Sequence, residues 1–191
     1  MKRESVRISF LLVLLSSGRV GTAGAGTPIK GADVSWLPRM EASGKKFYDA
    51  NGVQKDLLQI LKEHGINSVR LRTWVNPSSD NCSGHCSKTE MVALARRAKN
   101  MGLKVMVDFH YSDSWADPGK QFKPAAWRSL SFNQLMTRTY DYTLDVMNTL
   151  KANGISPDWV QVGNETNDGM LWEDGRASRN MRNFAWLVNC G

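Results

Sequence analysis

The 191-residue chain is 41% hydrophobic and 23% charged, enough apolar material for one compact domain with a core. Its 25 Lys/Arg exceed its 18 Asp/Glu, for a formal net charge of +7, but no basic block accompanies the excess, so a nucleic-acid partner is not implied. No internal repeat, dinucleotide fingerprint or phosphate loop is present, which excludes solenoids and the common nucleotide-binding classes.

Residues 1–25 read apart from the rest. Lys2, Arg3 and Arg7 precede an apolar run from Ile8 to Leu15, and a small-residue region ends in Ala23-Gly24-Ala25. This is the layout of a secretory signal peptide, too short to span a membrane, with cleavage expected near Ala25. The segment holds four bases (Lys2, Arg3, Arg7, Arg19) and one acid (Glu4), so residues 26–191 carry a net charge of +4. No Cys follows the small-residue region, which argues against a lipoprotein. The expected location is secreted or periplasmic, with no membrane attachment after cleavage.

In the body, Lys30–Ser35 is a short candidate strand followed by a polar loop through Gly52. Apolar residues at Val53, Leu57, Leu58, Ile60 and Leu61 predict a helix over 53–64, stopped by Gly65. Asn67–Val75 alternates as a strand, with Arg70, Arg72 and Trp74 on one face. Cys82 and Cys86 then share a loop. In an exported protein a Cys82–Cys86 disulfide is expected; a metal site using His85 and His64 is the weaker alternative, since a second ligand pair is lacking. Lys88–Met101 predicts a helix ended by Gly102, Leu103–His110 a strand, and 111–131 a long loop rich in Trp, Asp, Pro and Gly. Phe132–Asn153 is an amphipathic helix ended by Gly154. Trp159–Glu165 is the fourth strand, and 178–189 a last helix.

Strand and helix therefore alternate four times, the pattern of βαβ units and a parallel sheet. Asp33, Arg70, Arg72, Asp108, His110, Gln161 and Glu165 all fall on one side of that sheet. In an open sheet both faces are covered by helices, and this many charges there would be costly. At the C-terminal mouth of a barrel they can pair and meet a polar ligand. The expected fold is α/β, a (β/α)8 TIM barrel of which about the first four βα units are present. Such barrels take about 250 residues, so the sequence reads as the N-terminal half of a catalytic domain; a half-barrel that dimerises is the alternative.

Gly31-Ala-Asp-Val-Ser35, Val69-Arg-Leu-Arg-Thr-Trp-Val-Asn-Pro77, Phe109-His-Tyr-Ser-Asp-Ser-Trp-Ala-Asp-Pro-Gly119, Val160-Gln-Val-Gly-Asn-Glu165 and Gly169-Met-Leu-Trp172 occur in order. Together they resemble the endo-β-1,4-galactanases of glycoside hydrolase family 53 (arabinogalactan endo-β-1,4-galactosidases), over nearly all of residues 30–191. The resemblance implies hydrolysis of β-1,4-galactan by a retaining double displacement. It implies that Glu165 is the acid/base, that Asn164 contacts the sugar's 2-hydroxyl, and that Arg72 and His110 hold and tune the carboxylates. Asp33, Tyr111, Trp115, Asp117 and Trp172 are the expected substrate contacts, with Trp127 as a further aromatic candidate; for Asp117 an Asx-turn role is equally open.

The nucleophile of the family is a second Glu at the end of strand seven, and no residue here matches it. Glu41, Glu63, Glu90 and Glu173 are not on strand ends. The 191 residues alone are therefore expected to be inactive. No metal or cofactor is expected in this half, and the full-length protein is expected to be monomeric with a β-1,4-galactan polysaccharide as its partner. The alternatives are a non-catalytic galactan-binding remnant and a related-clan enzyme acting on another β-glycan, such as a cellulase or mannanase. The partner of Cys190 is open.

Overall fold

The computed structural model describes residues 28–78 and 85–191. The expected signal peptide (residues 1–25) and Cys82 lie outside the described residues. Four strands, β1 (Gly31–Asp33), β4 (Ser68–Thr73), β5 (Lys104–Phe109) and β6 (Trp159–Val162), form one parallel sheet in the order β1-β4-β5-β6. Three helices follow them in turn: α3 (Lys88–Asn100) after β4, α4 (Phe132–Ala152) after β5 and α5 (Ala177–Cys190) after β6. The helix α2 (Leu57–Glu63) closes the first unit.

The outer face of the sheet carries the core. Val69, Leu71, Val105, Val107 and Phe109 are buried under Leu94, Ala95 and Ala98 of α3 and Leu135, Val146 and Leu150 of α4. Each such Val, Leu or Phe contributes about 1.5–3 kcal/mol by leaving water. Helix starts are capped: Ser87 and Glu90 form a capping box at α3, and Ser131 and Gln134 form another at α4. Gly65, Gly102 and Gly154 end α2, α3 and α4 at φ of +88°, +75° and +69°, where a side chain would be strained.

The structure differs from the sequence reading in four places. Residues 36–52 are not simply a loop: they contain α1 (Leu37–Ala42) and β2 (Phe47–Tyr48), which pairs with β3 (Gln54–Lys55) as a small antiparallel ribbon. The helix expected from Val53 starts at Leu57, because Asp56 caps it by accepting from Leu58 N at 2.7 Å. A short 3₁₀ turn, Ala125–Trp127, interrupts the long loop after β5. Helix α5 is kinked at Asn180.

The inner face is polar, as alternation requires. The register aligns Asp33 with Arg70 and Arg70 with Met106, and Arg72 with Asp108 and Asp108 with Gln161. These rows, ascending toward the C-terminal ends of the strands, position the site.

Candidate active site

Arg70 is the hub of the inner face. Its Nη1 lies 2.8 Å from Asp33 Oδ2, and its Nη2 lies 2.6 Å from Asp108 Oδ2. The same Nη2 donates to Asn164 Oδ1 at 2.7 Å, and Nε donates to Gln161 Oε1 at 3.2 Å. Asn164 in turn donates from Nδ2 to Ala116 O at 2.7 Å. Both ends of that amide are thereby specified, and one Nδ2 hydrogen is left for a ligand hydroxyl.

Asp33 also accepts from Ser35 N and Oγ, at 3.0 and 2.7 Å. Burial works to raise its pKa, but the Ser35 hydrogen bonds and the Arg72 and Arg70 guanidiniums outweigh it. The carboxyl titrates below the ordinary Asp range and stays charged. Asp108 is fully buried, with His110 Nε2 3.0 Å from its Oδ2. Ala116 N donates to His110 Nδ1 at 3.1 Å, which turns the Nε2 side of the ring toward Asp108.

Glu165 sits three residues beyond the end of β6, exposed at the mouth. Gly163 turns the chain at φ +82°, and Glu165 itself adopts φ +48°, a left-handed conformation unusual for a residue with a side chain. Gln121, from the loop after β5, holds this turn in place. It is 2% exposed, and its Nε2 donates to Asn164 O at 2.7 Å and to Glu165 O at 3.2 Å. The Glu165 carboxyl makes no hydrogen bond or ion pair among the described residues, so it is free to act on a ligand.

An aromatic rim borders the mouth. Trp115, 37% exposed, lies with its ring 4.0 Å from the Arg72 guanidinium and 5.6 Å from the His110 ring. Trp36 follows at 6.2 Å. Trp172 is half-buried: Nε1 donates to Asp168 O, its backbone N–H donates to Gln121 O, and the Arg176 guanidinium lies 4.3 Å from its ring.

Of the residues expected from the sequence, Glu165, Asn164, Asp33, His110, Trp115 and Trp172 come together at this end of the sheet. Arg72 is there too, but buried against Trp36, Trp74 and Trp115; its ion-pair contact is Asp33 at 3.5 Å. Arg70, not Arg72, holds Asn164. Tyr111 is a correction. It is 1% exposed, stacks on Phe109 and bonds Thr143 Oγ1 at 2.8 Å, so it belongs to the core. Trp127 likewise packs against Tyr142 and is buried. The Asp117 carboxylate accepts from Gly119 N at 2.9 Å and pairs with Lys120, the Asx-turn role.

Cys86 is buried with its Sγ 3.5 Å from Ser35 O, and neither it nor Cys190 forms a disulfide among the described residues. The expected Cys82–Cys86 bond has its other half outside the described residues. Among the described residues no group of three or more His, Cys, Asp or Glu could hold a metal ion. Arg70, Asp108 and Gln121 are members of the site to which the sequence assigns no individual role. Only the first two carried a signal, their place on the polar face.

Four parallel βα units with a polar inner face make up the first half of a (β/α)8 barrel, and an Asn-Glu pair lies beyond the fourth strand. The chain belongs to glycosyl hydrolase family 53, whose family model matches residues 29–191. It is 43% identical over 160 residues to the arabinogalactan endo-beta-1,4-galactanase of Humicola insolens, covering 84% of this chain and 46% of the relative. It is 41% identical over 179 residues to a probable arabinogalactan endo-beta-1,4-galactanase A of Aspergillus fumigatus, covering 94% and 47%. Among solved structures, the GH53 catalytic domain of Ignisphaera aggregans is similar at a TM-score of 0.79 and 42% identity, covering 87% of this chain and 48% of that one. The chain thus spans about half the length of the curated relatives it matches.

Proposed function

We propose that this chain supplies the acid/base half of a retaining endo-β-1,4-galactanase site, with Glu165 as the proton donor. The observation that carries the reading is the Asn164-Glu165 pair: the amide is fixed by Arg70 and Ala116, and the carboxyl beside it is held at the mouth with no partner among the described residues. The relatives' names supply the substrate class, β-1,4-galactan.

Glu165 protonates the leaving glycosidic oxygen while a nucleophile attacks the anomeric carbon. It then takes a proton from the water that releases the sugar. Asn164 donates its remaining Nδ2 hydrogen to the sugar's 2-hydroxyl. Trp115 and Trp172 offer apolar surface at the rim. Asp33 and Asp108 are committed to Arg70, which disfavours either as nucleophile; that role falls to the second Glu of the family resemblance, about 5–5.5 Å from the acid in a retaining enzyme. The chain by itself is therefore inactive in this reading. Export by residues 1–25 and action as a monomer on an extracellular polysaccharide complete it. Among the described residues no helix is long and apolar enough to cross a membrane.

The test is a fusion of this chain to the C-terminal half of the Humicola insolens relative, assayed for reducing ends released from β-1,4-galactan. The fusion turns over, the chain alone does not, and Glu165→Gln lowers the fusion's kcat by about 10²–10⁴-fold. Unchanged turnover in E165Q, or hydrolysis by the chain alone at a complete relative's rate, refutes the proposal. A chain that binds galactan without any catalytic role is the second reading; the commitment of Asp33 and Asp108 to Arg70 favours it, and an active E165Q fusion would leave it standing.

A further inference from the structure

A cavity opens beside Trp36, next to the mouth. Its volume is about 460 Å³, and Trp36, Arg39, Met40, Ser43, Lys45 and His85 line it. That volume lies within the range of small-ligand sites, about 300–1,000 Å³. No acid lines it. Glu41, on the same helix, is taken by Arg97 through contacts of 2.9 and 2.7 Å, and Glu90 is taken by His85 at 2.6 Å. Arg39 and Lys45, by contrast, have no acceptor for their side chains among the described residues. Other cations near the mouth are paired: Arg70 and Arg72 with Asp33, Lys120 with Asp117, Lys123 with Asp174, Arg176 with Asp168.

The Arg39 guanidinium lies 4.5 Å from the Trp36 ring. The ring attracts the cation, and its N–H donors remain available for a flat, two-oxygen acceptor. Ser43 Oγ donates to Met40 O, so its lone pairs are what it can offer a ligand. The two charged groups of the lining, Arg39 and Lys45, can only donate. A neutral sugar presents hydroxyls that need acceptors as well as donors; a carboxylate needs donors only. Trp36 is common to the two places: it lines the cavity, and its ring lies 6.2 Å from that of Trp115 at the mouth.

We propose that this cavity is a subsite for a uronic acid unit, a sugar carrying a carboxylate, in a polysaccharide that passes the mouth. The carboxylate sits between Arg39 and Lys45, and the sugar's apolar face lies toward Met40 and Trp36. The saccharide part rests on the proposed function; the anionic preference rests only on the cavity. The site favours substrates whose neutral galactan segment adjoins an acidic one.

The experiment is calorimetric titration of the full 191-residue chain at low salt with an α-1,4-linked galacturonate trimer, a neutral β-1,4-galactotriose and sodium sulfate. The acidic trimer binds about tenfold or more tightly than the neutral one, and added salt weakens it. The double variant R39Q/K45Q removes the difference, and K45E, whose unfolding temperature verifies folding, weakens the acidic trimer further than K45Q. Equal affinity for the two trimers, no binding of the acidic one, indifference to R39Q/K45Q, or equal competition by sulfate each overturns the proposal. Retained acidic binding in E165Q supports it, even if the galactan assay fails, so the two readings fall separately.

Discussion

Arg70 shows how one side chain can decide the geometry of a site it does not itself react in. It is the common partner of Asp33, Asp108, Gln161 and Asn164. Asp108 is fully buried, and a carboxylate without its cation there has an uncompensated desolvation cost. Replacing Arg70 with Met, which keeps the stem and removes the charge, is expected to cost about 3–5 kcal/mol of stability. Urea unfolding of the wild-type and R70M chains measures it; a loss below about 1 kcal/mol would mean that Asp108 is satisfied in some other way. The alternation of the strand marked Arg70 and Arg72 as sharing the inner face, and that held. It did not say which reached Asn164, because alternation fixes a face and not the reach of a five-bond side chain. Tyr111 was legible and was misread: it follows the parity of Phe109, which points to the core. Gln121 left no trace in the sequence, since a lone Gln in a loop becomes a clamp only through its partners.

At the level of elements, the stops were easier to read than the starts. Gly65, Gly102 and Gly154 sit where a left-handed residue ends a helix, and any side chain there is strained. The start of α2 was placed too early because Val53 fits the apolar period; it lies in the β2–β3 ribbon and is 53% exposed. The two-residue strands of that ribbon are too short to show alternation. Helix α4 matters most to the site, since it buries Leu135, Val146 and Leu150 against the sheet that carries Asp108 and His110. Its first turn depends on Ser131, which accepts from Gln134 N while Gln134 Oε1 accepts from Ser131 N. Ser131→Ala is expected to lower stability by about 1 kcal/mol, read as a fall in the urea midpoint at unchanged slope. An unchanged midpoint would show that packing alone sets the helix start.

At the scale of the molecule, the alternation of strand and helix specified a parallel sheet, and the charge on one face specified that this face lines a mouth. The fold agrees with both, and its order β1-β4-β5-β6 leaves β1 and β6 each paired on one side among the described residues. An outer strand of this kind presents unpaired N–H and C=O groups that template association with another chain. On β6, Val160 is 41% exposed on the outer face, beside the edge. The chain alone is therefore expected to self-associate through β6, with a weight-average mass that rises with concentration in sedimentation velocity. Val160→Lys puts a charge on that edge, which has to lose water for any chain to dock there, and shifts the population toward monomer. The inner-face network is untouched by this change, so far-UV circular dichroism of V160K should match wild type. If V160K associates as strongly as wild type, the contact runs through β1 or the open inner face, and β6 is not the edge that must be covered for the barrel sheet to stand alone.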